Sequence, residues 1–148
     1  MAESLAVKYR PQKWEDVCGQ TSIIRILIRQ LELNQLRNAY LFAGASGCGK
    51  TTLARIFANR INNNIGYPEE IDAASNNGVD NVKAIIKSAQ ERAIDSKYKI
   101  FIIDECHMIT PQGWNAFLKC IEEPPKYTIF IFCTTEKNKV PDTIKNRC

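Results

Sequence analysis

The stretch Gly44-Ala45-Ser46-Gly47-Cys48-Gly49-Lys50-Thr51 decides the predicted fold, because it matches the pattern G-x-x-x-x-G-K-[ST]. The short apolar segment before it, residues 39–43, has the composition of a buried strand. After it, Leu53, Ile56 and Phe57 recur with the spacing of one helix face. A strand, a glycine loop and a helix in this order form the context in which the pattern binds phosphate.

The residue types of this loop suit a nucleoside triphosphate. Glycines allow backbone N–H groups to point at phosphate oxygens, and the N-terminus of the following helix adds unpaired donors. Lys50 is expected to reach the β- and γ-phosphates, and the Thr51 hydroxyl to ligate Mg²⁺. The alternative is a glycine-rich turn that binds nothing, which the flanking strand and helix disfavour. The predicted nucleotide-binding residues of this region are Gly44, Ala45, Ser46, Gly47, Cys48, Gly49, Lys50, Thr51 and Thr52.

The rest of the chain alternates strand and helix patterns. Strands are predicted at residues 71–75, 99–103 and 128–134, and helical periodicity runs from Val79 to about Ile94. Another helix is expected to begin at Thr110 and Pro111. This alternation predicts an α/β three-layer sandwich with a parallel β-sheet, and ligands of such sheets bind at the carboxyl ends of the strands.

Two acids, Asp104 and Glu105, directly follow the apolar strand 99–103. One carboxylate is needed to hold a metal ion together with Thr51, and another can orient and deprotonate a water molecule. By their order, Asp104 is assigned to the metal and Glu105 to the water. The alternative is a solvated acidic strand end. The neighbouring His107 is left outside the predicted catalytic set.

Two further residues have only a local signal. Thr135 follows the last predicted strand and could sense a triphosphate, but hydroxyls at strand ends commonly cap backbone groups. A lone arginine such as Arg147 is usually a solvated surface residue, although an arginine supplied to a partner can stabilise phosphoryl transfer. The residues alone leave both alternatives open.

Composition sets the protein class. The 148 residues suffice for one domain, and 45% hydrophobic with 24% charged residues is typical of a globular protein. No apolar run approaches the roughly 18 residues of a membrane span and the N-terminus lacks the layout of a signal peptide, so a cytoplasmic protein is expected. The six cysteines form no C-x-x-C pair, which indicates neither zinc nor disulfides. A net charge of +4 is compatible with nucleic acid without indicating it.

Together these motifs resemble the AAA+ ATPase module of the bacterial clamp-loader subunits of DNA polymerase III, the gamma/tau family. The resemblance covers nearly the whole chain. The segments that carry it are Lys8-Tyr9-Arg10-Pro11, Asp16-Val17-Cys18-Gly19-Gln20, the glycine loop, Ile71-Asp72-Ala73-Ala74-Ser75, Asp104-Glu105-Cys106-His107-Met108, residues 118–125, Thr134-Thr135 and Asn146-Arg147-Cys148.

The resemblance implies ATP and Mg²⁺ as ligands, and it implies other clamp-loader subunits, a sliding clamp and primer-template DNA as partners. Thr135 matches the family's first sensor position, and Arg147 matches an arginine that acts on ATP held by a neighbouring subunit. The residues that would surround the adenine, all within segment 1–20, are Tyr9, Arg10, Pro11, Val17 and Cys18.

Three features depart from the family pattern. Residues 63–70 occupy the place of a zinc-binding module, so no zinc is predicted. Asn146 stands where the family has serine before the arginine. The sequence ends at Cys148, before the family's lid and collar domains, so residues 1–148 are expected to form one AAA+ core domain that binds ATP weakly by itself.

Two alternative functions remain at this stage. The run Asp104-Glu105-Cys106-His107 also occurs in DExH-type helicases, although a single short core lacks their second motor domain. A non-catalytic scaffold could keep the same fold for assembly only. The presence of both Lys50 and Glu105 argues against the scaffold.

Overall fold

A parallel β-sheet organises the residues that the computed structural model describes, namely 21–44, 49–91 and 96–148. The strand order is β1-β4-β3-β2, and each pair of neighbours is parallel. β4 and β3 are the inner strands, as their continuous β-branched and aromatic composition predicts. The strands are β1 (Ala39–Ala43), β2 (Glu69–Asp72), β3 (Lys99–Asp104) and β4 (Thr128–Thr134).

Helices cover both faces of this sheet, which gives the three layers expected from the sequence. Side chains alternate along each strand. Ile100 and Ile102 of β3 pack on one face against the first two helices, whereas Phe101 and Ile103 pack on the other against the next two. The helices are α1 (Thr21–Glu32), α2 (Lys50–Ile61), α3 (Val79–Ala89), α4 (Pro111–Glu122) and α5 (Asp142–Lys145), with 3-10 turns at Cys106–Met108 and Lys137–Lys139.

The sequence predicts the start of α4 correctly. The Thr110 hydroxyl accepts a hydrogen bond from the Gly113 backbone N–H at 3.1 Å, and Pro111 occupies the first helical position. Pro111 has no N–H to leave unpaired there, and its ring fixes a helical φ.

Strand β2 lies two residues earlier than predicted, at Glu69–Asp72 instead of 71–75. The Asp72 side chain explains where it ends, because its Oδ1 accepts a hydrogen bond from the Ala74 N–H at 2.9 Å and turns the chain away from the sheet. The two glutamates that begin β2 are tolerated because this is an edge strand. One of them, Glu70, pairs with Arg55 of α2 at 2.6 Å.

Helix α3 ends at Ala89, so the predicted extension to Ile94 is wrong. Its last carbonyl groups bond to side chains of the sheet: Lys99 Nζ donates to the Ser88 carbonyl at 2.6 Å, and the Thr128 hydroxyl donates to the Ala89 carbonyl at 3.0 Å. These contacts join residues far apart in the sequence. Periodicity along the chain therefore could not locate this helix end.

Phe130 occupies the centre of the inner strand β4 and is fully buried. Its ring lies 5.4 Å from that of Phe101, 5.6 Å from that of Phe117 and 6.1 Å from that of Phe132. This aromatic group fills the space between the sheet and α4.

Replacing Phe130 by alanine is expected to lower the free energy of unfolding by roughly 3–5 kcal/mol, because it leaves a cavity among aromatic neighbours. Denaturant unfolding followed by circular dichroism measures the loss. The matched control is Tyr67→Ala, since the Tyr67 side chain is 95% exposed, and its effect should stay within about 0.5 kcal/mol. Equal losses in the two variants would contradict this account of the core.

Candidate nucleotide-binding site

The carboxyl ends of β1, β4 and β3 bring the sequence-predicted groups to one edge of the sheet. Ala43 of β1 lies opposite Thr134 of β4, and the Gly44 N–H donates to the Thr134 carbonyl at 3.1 Å. Asp104 ends β3 and lies beside Asp72 of β2. The glycine loop starts at the end of β1 and the acidic pair at the end of β3, with β4 between these strands, so both lie at the same edge of the parallel sheet.

Helix α2 begins at this edge with the residue pair that the motif predicts. Gly49 caps the helix with φ 83°, a left-handed conformation that glycine adopts without strain. Lys50 follows as the first helical residue and is mostly buried, with 8% of its surface exposed. Residues 45–48 of the loop, and Tyr9, Arg10, Pro11, Val17 and Cys18 of the predicted adenine segment, lie outside the described residues.

Thr51 and Asp104 meet across the first turn of α2 and the end of β3. The Thr51 hydroxyl lies 3.3 Å from each carboxylate oxygen of Asp104. Asp104 Oδ1 also accepts a hydrogen bond from the Glu105 N–H at 3.0 Å, which helps to orient the carboxylate. A hydroxyl and a carboxylate are hard oxygen donors, and Mg²⁺ is commonly held by one or two such protein ligands together with substrate phosphates. The donor set therefore fits Mg²⁺.

The backbone at Glu105 is in an unusual conformation, with φ 53° and ψ 42°. A side chain in this left-handed region crowds its own carbonyl, which costs roughly 1–2 kcal/mol. Glu105 precedes the 3-10 turn Cys106–Met108, so the strained residue turns the chain sharply at the end of β3. The predicted water-activating carboxylate thus lies at a strained turn, which is common at functional sites.

His107 is part of this cluster, although it lies outside the catalytic set that the sequence predicts. Its side chain is only 7% exposed. Its Nδ1 lies 2.9 Å from the Thr134 hydroxyl, and its Nε2 lies 3.6 Å from a carboxylate oxygen of Glu105 and 3.5 Å from one of Glu136. The signal in the sequence is a single histidine three residues after a strand-ending aspartate.

The two weaker predictions fall in different places. Thr135 directly follows β4 and is half-buried, next to the cluster around Thr134. Arg147 is exposed and pairs with Glu122 at the end of α4, at 3.3 Å. That contact holds Arg147 on the surface, and nothing in it joins Arg147 to the Thr51–Asp104 pair.

A pocket of about 650 Å³ opens beside Lys50. One side of the pocket is apolar and is formed by Phe42, Ala43 and Leu53. The side formed by the C-terminal segment carries Lys137 and Lys145. This volume is in the range of small-molecule and cofactor sites.

Two buried cysteines next to the site, Cys106 and Cys133, are unreactive near neutral pH. Burial raises the pKa of the Cys133 thiol to about 12, and burial also raises the pKa of Cys106. Both thiols therefore stay protonated near neutral pH, where they act as small apolar side chains and not as nucleophiles or metal ligands. Among the described residues no group of three or more His, Cys, Asp or Glu side chains is arranged to hold a metal ion.

Comparison with solved structures gives the fold class. A gamma subunit-related protein of DNA polymerase III from Thermotoga maritima superposes with a TM-score of 0.70 at 24% identity, over 82% of this chain and 43% of that one. The Thermotoga maritima Holliday junction branch migration motor RuvB superposes with a TM-score of 0.75 at 23% identity, over 94% of this chain and 46% of its own. The chain has the α/β P-loop AAA+ fold.

Comparison of the amino-acid sequence with known proteins identifies the family to which the chain belongs. The profile described as "DNA polymerase III, delta subunit" matches residues 69–148. DNA polymerase III subunit gamma/tau of Mycoplasma pneumoniae is 41% identical over 168 residues, covering 100% of this chain and 25% of the relative. Subunit tau of Bacillus subtilis is 41% identical over 161 residues, covering 95% of this chain and 29% of the relative.

The chain belongs to this DNA polymerase III clamp-loader family, and it is gamma/tau-like within it. It spans between a quarter and a third of the length of these two relatives. None of the helices in the described ranges is long and apolar enough to cross a membrane.

The strain at Glu105 can be measured by replacing the residue with glycine and with alanine. Glycine relieves the left-handed conformation, so Glu105→Gly is expected to be more stable than Glu105→Ala by about 0.5–1 kcal/mol. Lys83, exposed inside α3, is the matched control, because there glycine should be less stable than alanine by about 0.5–1 kcal/mol. Denaturant unfolding measures the stability of the four variants. If the difference in stability between glycine and alanine had the same sign at positions 105 and 83, the backbone at Glu105 would not be strained.

Proposed function

We propose that this chain is the ATP-binding and ATP-hydrolysing core of a gamma/tau-type clamp-loader subunit, which couples ATP to the loading of a sliding clamp on primer-template DNA. The observation that carries the proposal is the position of the Thr51 hydroxyl, 3.3 Å from both carboxylate oxygens of Asp104 at the start of α2. This arrangement suits a metal ion bound to nucleotide phosphates, and the names of the relatives supply the replication context.

The chain's own groups divide the chemistry among them. Backbone N–H groups at the start of α2 bind phosphate oxygens, and the Lys50 ammonium adds a positive charge at the same place. Thr51 and Asp104 hold Mg²⁺, which when bound neutralises charge on the phosphates. Glu105 orients a water molecule and accepts its proton, and Thr135 senses the γ-phosphate. The glycine loop, residues 44–49, and Thr52 complete the phosphate contacts.

Residues around the phosphate site complete the nucleotide pocket and its contact with neighbouring subunits. Residues 1–148 form one AAA+ core domain, in which Tyr9, Arg10, Pro11, Val17 and Cys18 contact the adenine. Arg147 is exposed beside Glu122, which suits an arginine that acts on ATP of a neighbouring subunit. The protein works in the cytoplasm with other clamp-loader subunits, and no zinc takes part.

Titration calorimetry with Mg²⁺ and ATP tests the binding step. Saturable binding is expected for the unmodified chain, and Lys50→Ala should bind roughly 10- to 100-fold more weakly because a charge-assisted contact to phosphate is lost. Lys87→Ala, which removes an exposed lysine of α3, is the matched control and should bind as the unmodified chain does. Binding that is equal in all three proteins would refute the phosphate site.

Hydrolysis separates the proposed function from the scaffold alternative. In an assembly reconstituted with its partner subunits, Glu105→Gln is expected to abolish most ATPase activity, by roughly 100-fold or more, while ATP still binds. The rate of phosphate release measures this, and Glu123→Gln is the control because it changes an exposed acid after α4. An unchanged rate in Glu105→Gln would favour a scaffold.

The relatives named above are polymerase subunits, which supports a clamp loader over a helicase.

A further inference from the structure

We propose that His107 is a positioning residue that links the Glu105 carboxylate to the end of β4 through the Thr134 hydroxyl. The inference rests on the proposed function, since it gives Glu105 a partner that can transmit movement of the sensor segment 134–136. It is carried by the placement of a buried histidine between one hydroxyl and two carboxylates.

The neighbours of Thr134 and His107 indicate which group donates the hydrogen bond between them. Thr134 Oγ1 already accepts a hydrogen bond from the Glu136 N–H at 2.9 Å. Its single proton is then free to be donated to His107 Nδ1, which lies 2.9 Å away. In the neutral ring, the two carboxylates that face Nε2 favour the tautomer with its proton on Nε2, and Nδ1 then accepts from Thr134. Ionised carboxylates only accept hydrogen bonds, so this tautomer satisfies every partner.

The distances from His107 Nε2 to the two carboxylates leave room for either contact to shorten or lengthen. At 3.6 Å and 3.5 Å, the two carboxylate oxygens are beyond good hydrogen-bond length from Nε2 but within electrostatic reach. Lys139 Nζ lies 2.8 Å from Glu136 Oε2, and this hydrogen bond holds the pKa of the Glu136 carboxyl below its usual range. Glu136 thus has Lys139 as a cationic partner in addition to His107, whereas Glu105 faces His107 and is the carboxylate that the ring can position.

Three separate parts of the chain meet in this arrangement. Glu105 and His107 flank the start of the 3-10 turn, Thr134 is the last residue of β4, and Glu136 and Lys139 belong to the segment after it. A nucleotide that draws Thr135 towards its γ-phosphate would pull on both neighbours of Thr135. The Thr134 hydroxyl would then shift the imidazole, and the imidazole would reposition Glu105.

The sequence contains one histidine, so its ring nitrogens can be observed without ambiguity by nitrogen-15 NMR of the full chain labelled in histidine. In the nucleotide-free chain Nε2 should carry a proton and Nδ1 should show the shift of a hydrogen-bonded acceptor. Thr134→Val should move Nδ1 towards the value of a free acceptor, while Thr134→Ser should keep it. Glu105→Gln should move Nε2, and Glu123→Gln should leave it unchanged.

An unprotonated Nε2, or ring resonances indifferent to Thr134→Val and Glu105→Gln, would overturn the inference. Thermal melting of each variant ensures that only folded proteins are compared. Thr134→Ser preserves the hydroxyl, so it distinguishes loss of the hydrogen bond from loss of the fold.

Adding Mg²⁺ and a non-hydrolysable ATP analogue tests the coupling. The ring resonances of the unmodified chain should shift on binding, and Thr134→Val should reduce that shift by half or more at equal affinity. Binding with unchanged ring resonances would overturn the coupling. If the unmodified chain bound no analogue at all, the proposed function would fail, and the nucleotide-free comparison would still decide where His107 is held.

Kinetics supply a readout that a purely structural role would not give. In the reconstituted assembly His107→Ala should lower kcat roughly 10- to 100-fold, as removal of outer partners of active-site groups does, with ATP affinity unchanged. His107→Gln carries an amide that can donate near the Nε2 position, so it should recover part of the rate. A rise in the dissociation constant of ATP without a fall in kcat would contradict a positioning role.

Discussion

The pairing of β4 between β1 and β3 is the constraint on which the rest of the structure depends. Its parallel register sets Ala43 opposite Thr134 and Ile103 opposite Phe132, so the glycine loop and the acidic pair leave the sheet at one edge. A shift of one residue in this register would turn every side chain of β4 to the other face. It would exchange Phe130 and Phe132 with Ile129 and Ile131, which pack in different cores.

The two cores make such a shift costly, because each face of the sheet has a different composition. The face towards α3 and α4 is aromatic, and Phe117 of α4 contacts both Phe130 and Phe132, at 5.6 Å and 5.3 Å. The opposite face is mainly aliphatic where β3 and β4 meet α2. Close packing tolerates few changes of shape, so the pattern of large and branched side chains fixes the register. Stability of the core and geometry of the site thus have the same origin.

Most of the fold could be predicted from the sequence because its signals are local. The glycine loop, the apolar strands around positions 41, 101 and 131, and the cap formed by Thr110 and Pro111 each depend on neighbouring residues. The errors have a different origin. The end of α3 is set by Lys99 and Thr128, and the end of β2 by the hydrogen bond that the Asp72 side chain accepts from the Ala74 N–H. Contacts between distant segments, or a choice between two locally acceptable turns, carry little signal in one sequence.

The candidate site divides in the same way. The glycine-loop motif and the shared carboxyl edge of parallel strands predict that Thr51 and Asp104 lie close together, and the structure brings their side chains together. The contacts of His107 cannot be predicted from the sequence, because they depend on a left-handed turn at Glu105 that brings His107 next to Thr134 at the end of β4. A glutamate in the sequence does not predict a left-handed conformation, since glycine and asparagine are the residues that usually adopt it. The sequence therefore predicts the proximity of Thr51 and Asp104 better than it predicts the groups around them.

The hydroxyl of Thr134 also bears on which threonine can serve as sensor. The Thr134 hydroxyl lies 2.9 Å from His107 Nδ1, and its oxygen accepts a hydrogen bond from the Glu136 N–H, so both its contacts are to neighbouring protein groups. Thr134 is fully buried, whereas Thr135 is half-buried and lies one residue beyond the end of β4. Of these two adjacent threonines, Thr135 is thus better placed to meet a ligand at the sheet edge. Thr134 is better suited to carry its movement inward.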